Sequence, residues 1–193
     1  MKRLCVFCGS NPGFNPAYRE AATALGSLLA ERHIELVFGG GHIGLMGAVA
    51  DAVLRAGGHV IGVIPHALVA RELAHTGIQD LRAVNSMHER KALMAELSDG
   101  FIALPGGYGT FEEFFEIITW GQLGIHHKPC GLLNIQGYYT PLLQLVEMGV
   151  KEGFIPESHR ELVLVESTPT GLLEKMQGYH SPATAKWMGL SQT

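Results

Sequence analysis

The sequence predicts an α/β fold: a single-domain, Rossmann-like, doubly wound parallel sheet with helices on both faces. Three observations predict it. Short apolar runs alternate with helical stretches along the chain. Most of the runs are continuous, as in strands covered on both faces. Glycine-rich turns close strands and open helices, the pattern of successive βα units. The 193 residues fit one domain with a substantial core, and 25 glycines suit many tight turns. Residues 1–178 are expected to form that domain, and 179–193 a loosely held C-terminal tail.

The elements follow in order. The first strand, Leu4–Cys8, is apolar throughout and ends at once in Gly9-Ser10-Asn11-Pro12-Gly13, too short a run for a signal peptide. A helix over Pro16–Arg32 leads to a strand at Glu35–Phe38, and a glycine turn then opens a helix over Gly44–Ala56. Strands at His59–Ile64 and Leu81–Val84 precede a helix over Met87–Leu97. The strand Gly100–Leu104 is stopped by Pro105, and a second glycine turn opens a helix over Phe111–Leu123. The strand Cys130–Asn134, the helix Tyr139–Glu152, the strand Leu162–Val165 and the helix Thr170–Gln177 complete the alternation.

Composition excludes several function classes. The net charge is −4 and no Lys/Arg run occurs, which argues against nonspecific nucleic-acid binding and against an anionic-membrane anchor. No apolar run approaches a transmembrane span, so a cytoplasmic protein is expected. The three cysteines imply no disulfide framework. Cys5 and Cys8 have C-x-x-C spacing, but in a strand they point to opposite faces, so they read as core thiols. The ten histidines, His126-His127 included, show no metal spacing. No metal and no cofactor are expected.

The first glycine turn, Gly39-Gly40-Gly41-His42-Ile43-Gly44, satisfies G-x-G-x-x-G after a strand and before a helix. The acidic residue that would bind a ribose hydroxyl is missing at the end of the next strand, and the motif lies on the second βα unit rather than the first. A nicotinamide-dependent oxidoreductase is therefore the weaker reading. Contact with phosphate or ribose and a tight turn for close packing both remain open.

The second turn is Pro105-Gly106-Gly107-Tyr108-Gly109-Thr110. Its glycines leave N–H groups free to close on an anion at a helix N-terminus. Thr110-Phe111-Glu112-Glu113 also has capping-box spacing, with Thr110 as N-cap and Glu113 reaching back to it. Glu113 has a second reading. Phe111, Phe114, Phe115 and Ile118 form one apolar stripe, and Glu113 lies with Ile117 and Trp120 on the other side. A helix apolar on two faces is wedged between layers or between subunits, where its carboxylate would be partly desolvated beside the anion. Upstream, Arg90-Lys91 is either a solvated pair or a phosphate, ribose or carboxylate contact. An arginine near Glu113 would hold it ionised.

Met87-x-x-Arg90-Lys91 followed by Pro105-Gly106-Gly107-x-Gly109-Thr110-x-x-Glu113 resembles the signature of the LOG family, the cytokinin riboside 5′-monophosphate phosphoribohydrolases. The resemblance runs from Cys8-Gly9-Ser10 to about Pro156 and includes Gly39-Gly40-Gly41 and Thr119-Trp120-Gly121-Gln122. It implies hydrolysis of the N-glycosidic bond of adenosine 5′-monophosphates, N6-substituted or plain, to free base and ribose 5-phosphate. It also implies Arg90 and Glu113 as the catalytic pair. The substrate site would comprise Lys91, Gly107, Tyr108, Gly109, Thr110, Phe111, Glu112 and Thr119, with Glu72, Gly40, Gly41 and Ser10 added. A small-molecule nucleotide monophosphate is the expected partner, and a homodimer the expected assembly, with the site completed across or beside the interface.

Rival readings are a non-catalytic nucleotide-binding module, which would keep the turns but lack turnover, and a lysine decarboxylase, a label sometimes given to this family. For the latter, Lys91 is the only lysine near the motifs. No Gly-Lys-Ser/Thr sequence supports a kinase, and serine-hydrolase and zincin motifs are absent.

Overall fold

The structure is a computed structural model that describes residues 1–69 and 74–182. Seven strands form one sheet in which every pair is parallel. In chain order they are β1 Arg3–Phe7, β2 Glu35–Phe38, β3 Val60–Pro65, β4 Asp80–Val84, β5 Gly100–Ala103, β6 Cys130–Leu133 and β7 Val163–Glu166. The helices are α1 Pro16–Glu31, α2 Gly44–Arg55, α3 His66–Val69, α4 Met87–Leu97, α5 Tyr108–Gln122, α6 Thr140–Lys151 and α7 Pro169–Gln177. Each strand lies within a residue or two of its expected place. The four-residue α3 was not anticipated, because so short a helix carries no periodicity.

The spatial order is β4-β3-β2-β1-β5-β6-β7. The chain therefore winds outward from β1 to β4, returns to the other side of β1, and winds outward again. Leu4 of β1 pairs with Leu36 of β2 on one side and with Gly100 of β5 on the other. The order reverses between β1 and β5, and in open sheets a ligand crevice forms outside the strand ends at that point. The Cys8–Ser10 turn and both glycine turns gather at this edge.

Two cores cover the sheet. On one face Leu4, Val6, Leu36 and Phe38 pack against Leu25 and Leu29 of α1, Val49 and Val53 of α2, and Leu172 and Met176 of α7. On the other, Cys5, Phe7, Val37 and Phe101 pack with Met94 of α4, Phe114 and Ile117 of α5, and flanking Leu142 and Leu143 of α6. Cys5 and Cys8 fall in different cores, as period-two alternation requires. His126 is built in as well: its Nε2 meets the Ile117 carbonyl at 2.8 Å, and its Nδ1 accepts the Lys128 N–H at 3.1 Å. The expected tail begins at Tyr179; its residues from 183 onward lie outside the described residues.

Cys5, Cys8 and Cys130 are free and buried, and burial pushes all three thiols well above the usual range. Only the thiolate is an effective nucleophile. Iodoacetamide at neutral pH should therefore leave the native protein unmodified and add three labels after denaturation, counted by mass spectrometry. Rapid native labelling of any of the three would contradict this packing.

Candidate functional site

The second glycine turn starts its helix earlier than its sequence spacing suggests. α5 begins at Tyr108, with Gly107 as N-cap and no side-chain cap bond. Thr110 is thus the third helical residue, and the capping box does not form. The Glu113 carboxylate has a stronger partner: it accepts a hydrogen bond from Nη1 of Arg90. The buried line of the helix is Thr110, Glu113, Phe114, Ile117 and Gly121, while Phe115 turns outward. Of the expected stripe, Phe114 is buried and Phe111 and Ile118 pack against the core, so only Phe115 is corrected; the face carrying Glu113 and Ile117 is buried as well.

Arg90 and Glu113 are only 7% and 8% exposed. Arg90 Nε donates to the Val63 carbonyl within β3, at 3.0 Å. A Cβ on Gly39 would run into the guanidinium, which explains a glycine at that position. Burial raises the pKa of Glu113, and the opposing charge and hydrogen bond of Arg90 only partly offset it. The result is a carboxylate above its ordinary range in a cleft, a position suited to proton transfer.

That cleft has a volume of about 390 Å³. Its floor and one wall come from Arg90, Glu113, Thr110, Gly107, Tyr108, Gly109 and Ser10, with Gly39 and Gly41 from the first turn. Its apolar wall is Ile43, Met46, Ile64, Leu68 and Met87, with Cys8 beneath. The structure therefore brings together Arg90, Glu113, Ser10, Gly41 and the run from Gly107 to Thr110. Lys91, Phe111, Glu112, Thr119 and Gly40, five other expected residues, do not line the cleft. Lys91 is buried against Glu112 and Glu116 of α5. Its burial alone would lower its pKa, but the two carboxylates outweigh this and raise it. Phe111 packs toward Tyr138 and Tyr139. Thr119 faces solvent and donates back to the Phe115 carbonyl at 2.7 Å. Gly40 sits behind the cleft, its carbonyl taking the His75 N–H at 2.8 Å while the His75 ring meets Asp51 at 3.0 Å. Glu72 lies outside the described residues.

The apolar wall was missed from sequence. Ile64 and Met46 look like ordinary core positions, and only Met87, as the first residue of the Met-x-x-Arg-Lys motif, carried a signal. The two glycine turns also differ. At the first, the Leu45 N–H of α2 is taken by the Gly9 carbonyl at 3.0 Å, and Gly44 has φ +64° with its α-carbon against the Ser10 backbone. That turn's helix end is used for packing, while its Gly39 and Gly41 border the cleft.

Removing one partner of a buried ion pair costs about 3–5 kcal/mol, because the other charge is left uncompensated. Arg90→Met should lose about that much stability in urea melts at neutral pH. Without Arg90 the Glu113 pKa rises further. The deficit should therefore be full above that pKa and fade as the pH falls through it and the carboxyl becomes neutral. A pH-independent loss would show that the pair is not the cause.

Comparison with known proteins fits this geometry. The family model described as "Possible lysine decarboxylase" matches residues 46–176. A probable cytokinin riboside 5′-monophosphate phosphoribohydrolase of Oryza sativa subsp. japonica is 53% identical over 178 residues, covering 92% of this chain and 73% of that protein. A cytokinin riboside 5′-monophosphate phosphoribohydrolase of Arabidopsis thaliana is also 53% identical over 178 residues, covering 92% and 83%. In fold, the chain is similar to a molybdenum cofactor binding protein from Rippkaea orientalis, with a TM-score of 0.70 at 21% identity over 92% of this chain and 97% of that one. Among the described residues, no helix is long and apolar enough to cross a membrane. The chain belongs to the LOG family of cytokinin riboside 5′-monophosphate phosphoribohydrolases, the group whose model carries the lysine decarboxylase description.

Proposed function

We propose that this protein is a phosphoribohydrolase that cleaves the N-glycosidic bond of N6-substituted adenosine 5′-monophosphates. The products are the free base and ribose 5-phosphate, and the reaction serves cytokinin activation or AMP salvage in the cytoplasm. The observation that carries this reading is the buried Arg90–Glu113 pair on the floor of a cleft that also holds the N-terminal end of α5.

The chemistry follows from these groups. Breaking a ribosyl–purine bond develops positive charge at the anomeric carbon, as in glycoside hydrolysis. Glu113 faces that charge as a carboxylate and takes a proton from the attacking water, whose oxygen bonds to the anomeric carbon as the bond to the base nitrogen breaks. The base nitrogen takes up one proton from solvent as it leaves, and Glu113 returns to solvent the one it took from water, so the protons balance. Arg90 holds Glu113 in place and stands next to the ribose. Gly107, Tyr108, Gly109 and Thr110 offer amide N–H groups to the 5′-phosphate, with Ser10 opposite, so remote binding energy positions the reacting bond. Met46, Ile64, Leu68 and Met87 give the base an apolar wall. A Schiff-base lysine needs a depressed pKa. The two carboxylates around Lys91 do the opposite, which favours hydrolysis over decarboxylation.

The same protein is proposed to be a homodimer built on α5 and α6. α6 buries none of its residues, and Leu145, Met148 and, just after it, Phe154 are 65%, 61% and 82% exposed. Phe115, Thr119 and Leu123 share the outer strip of α5. An apolar surface of this kind is characteristic of a protein interface. In that assembly Thr119 serves the interface side of the site rather than its own cleft. Leu145→Lys combined with Met148→Lys should shift sedimentation from dimer to monomer. An unchanged dimer would place the interface elsewhere.

Wild-type protein should release free base from AMP or N6-isopentenyl-AMP, measured by chromatography, and Glu113→Gln should be about 10²- to 10⁴-fold slower. The wild-type kcat/KM should fall as the pH drops through the raised pKa of Glu113, because protonation removes the charge that faces the anomeric carbon. No release with binding retained in calorimetry would instead make this a nucleotide-binding module. Equal release by the variant would leave Glu113 a structural role only.

A further inference from the structure

The carbonyls of the turn that precedes α5 are held by three donors. The Leu104 carbonyl accepts the hydroxyl of Tyr139 at 2.6 Å, the Pro105 carbonyl accepts the Gly9 N–H at 3.1 Å, and the Gly106 carbonyl accepts the hydroxyl of Tyr138. Gly106 and Tyr138 line a second, adjacent hollow of about 300 Å³, and neither borders the cleft of Arg90 and Glu113. Gly9, Ser10 and Gly107 border both. In a trans peptide the carbonyl and the following N–H point in opposite directions, and no peptide bond among the described residues is cis. Holding the Gly106 carbonyl toward Tyr138 therefore aims the Gly107 N–H away from Tyr138.

We propose that Tyr138 is a positioning residue for anion binding: its hydroxyl sets the Gly106–Gly107 peptide so that the Gly107 N–H meets the 5′-phosphate. The inference rests on the reading above, in which this turn holds the phosphate. Glycine at 106 and 107 leaves this peptide free to rotate, so an external clamp is needed to make one orientation dominant. The ring of Tyr138 is packed among aromatic neighbours. It lies edge-on to Tyr18 at 5.7 Å and to Tyr139 at 5.1 Å, and stacks near Phe111 at 6.5 Å. The backbone delivers it through Gln136 and Gly137, both left-handed with φ 52° and 72°. Burial and the neighbouring Tyr18 raise its pKa, which keeps the phenol a donor. Tyr139, 1% exposed, anchors the strand end one step earlier and has a structural role.

The test is Tyr138→Phe, which keeps the ring and removes the donor. Loss of one hydrogen bond corresponds to about 3- to 10-fold in binding. Ribose 5-phosphate should bind that much more weakly by calorimetry and the KM for AMP should rise in parallel, with kcat nearly unchanged. Adenosine, which lacks the phosphate, should bind the variant as it binds wild type. In NMR spectra, ribose 5-phosphate should move the Gly107 amide proton in wild type and move it less in the variant. Tyr139→Phe should lower the melting temperature without this phosphate-specific loss. Equal weakening toward adenosine and ribose 5-phosphate, or no weakening at all, overturns the inference while leaving the hydrolase reading intact. Failure of wild type to bind ribose 5-phosphate overturns the phosphate assignment, and this inference with it.

Discussion

One guanidinium organises the cleft. Arg90 stands in the first turns of α4, yet its three nitrogens reach a carbonyl of β3, the glycine that follows β2 and the carboxylate of α5. Each partner comes from a different βα unit, so the site exists only when the sheet is assembled. A buried ion pair adds little net stability, since desolvating both charges costs about as much as their attraction returns. Its value lies in placing a carboxylate at a fixed point in a low-dielectric cleft, where a developing positive charge feels it strongly.

Much of the fold was legible in the sequence for a simple reason. Strands covered on both faces read as continuous apolar runs, and seven such runs separated by helical stretches leave few topologies. Arg90 and Glu113 were legible too, through the Met-x-x-Arg-Lys and glycine motifs and through the position of Glu113 among apolar neighbours. The start of α5 was not. Thr110-x-x-Glu113 matches a local capping template, and nothing local reveals that a partner on α4 will claim the carboxylate. Lys91 was misplaced on the same ground, since its partners Glu112 and Glu116 are neighbours only in space. The apolar wall of the cleft was illegible because Ile64 and Met46 look the same whether they face a core or a ligand.

The two glycine turns show why the motif alone decides little. Both follow a strand and open a helix on the same edge of the sheet. At α2 the Leu45 amide at the helix start is already taken by the Gly9 carbonyl, so that end is committed to packing β1 against α2. At α5 no side chain among the described residues caps the end, and Thr110 faces the cleft. The difference comes from the β1 turn, whose Gly9 carbonyl bonds to one helix while its N–H bonds to the Pro105 carbonyl before the other.

Charge bookkeeping around α5 bears on how an anion could be held there. Arg90 and Lys91 are adjacent on α4 and so point in different directions, one to Glu113 and the other to Glu112 and Glu116. This double attachment fixes the rotation of α5 about its axis. It also leaves two cations facing three carboxylates, so the cluster offers no surplus positive charge to a phosphate. Binding of a phosphate must then come from the amides and dipole of the α5 N-terminus. Amides, unlike lysines, cannot reorient toward a ligand once the chain is folded. Their direction has to be built in, and in this fold the means of doing so are the donors that grip the turn's carbonyls.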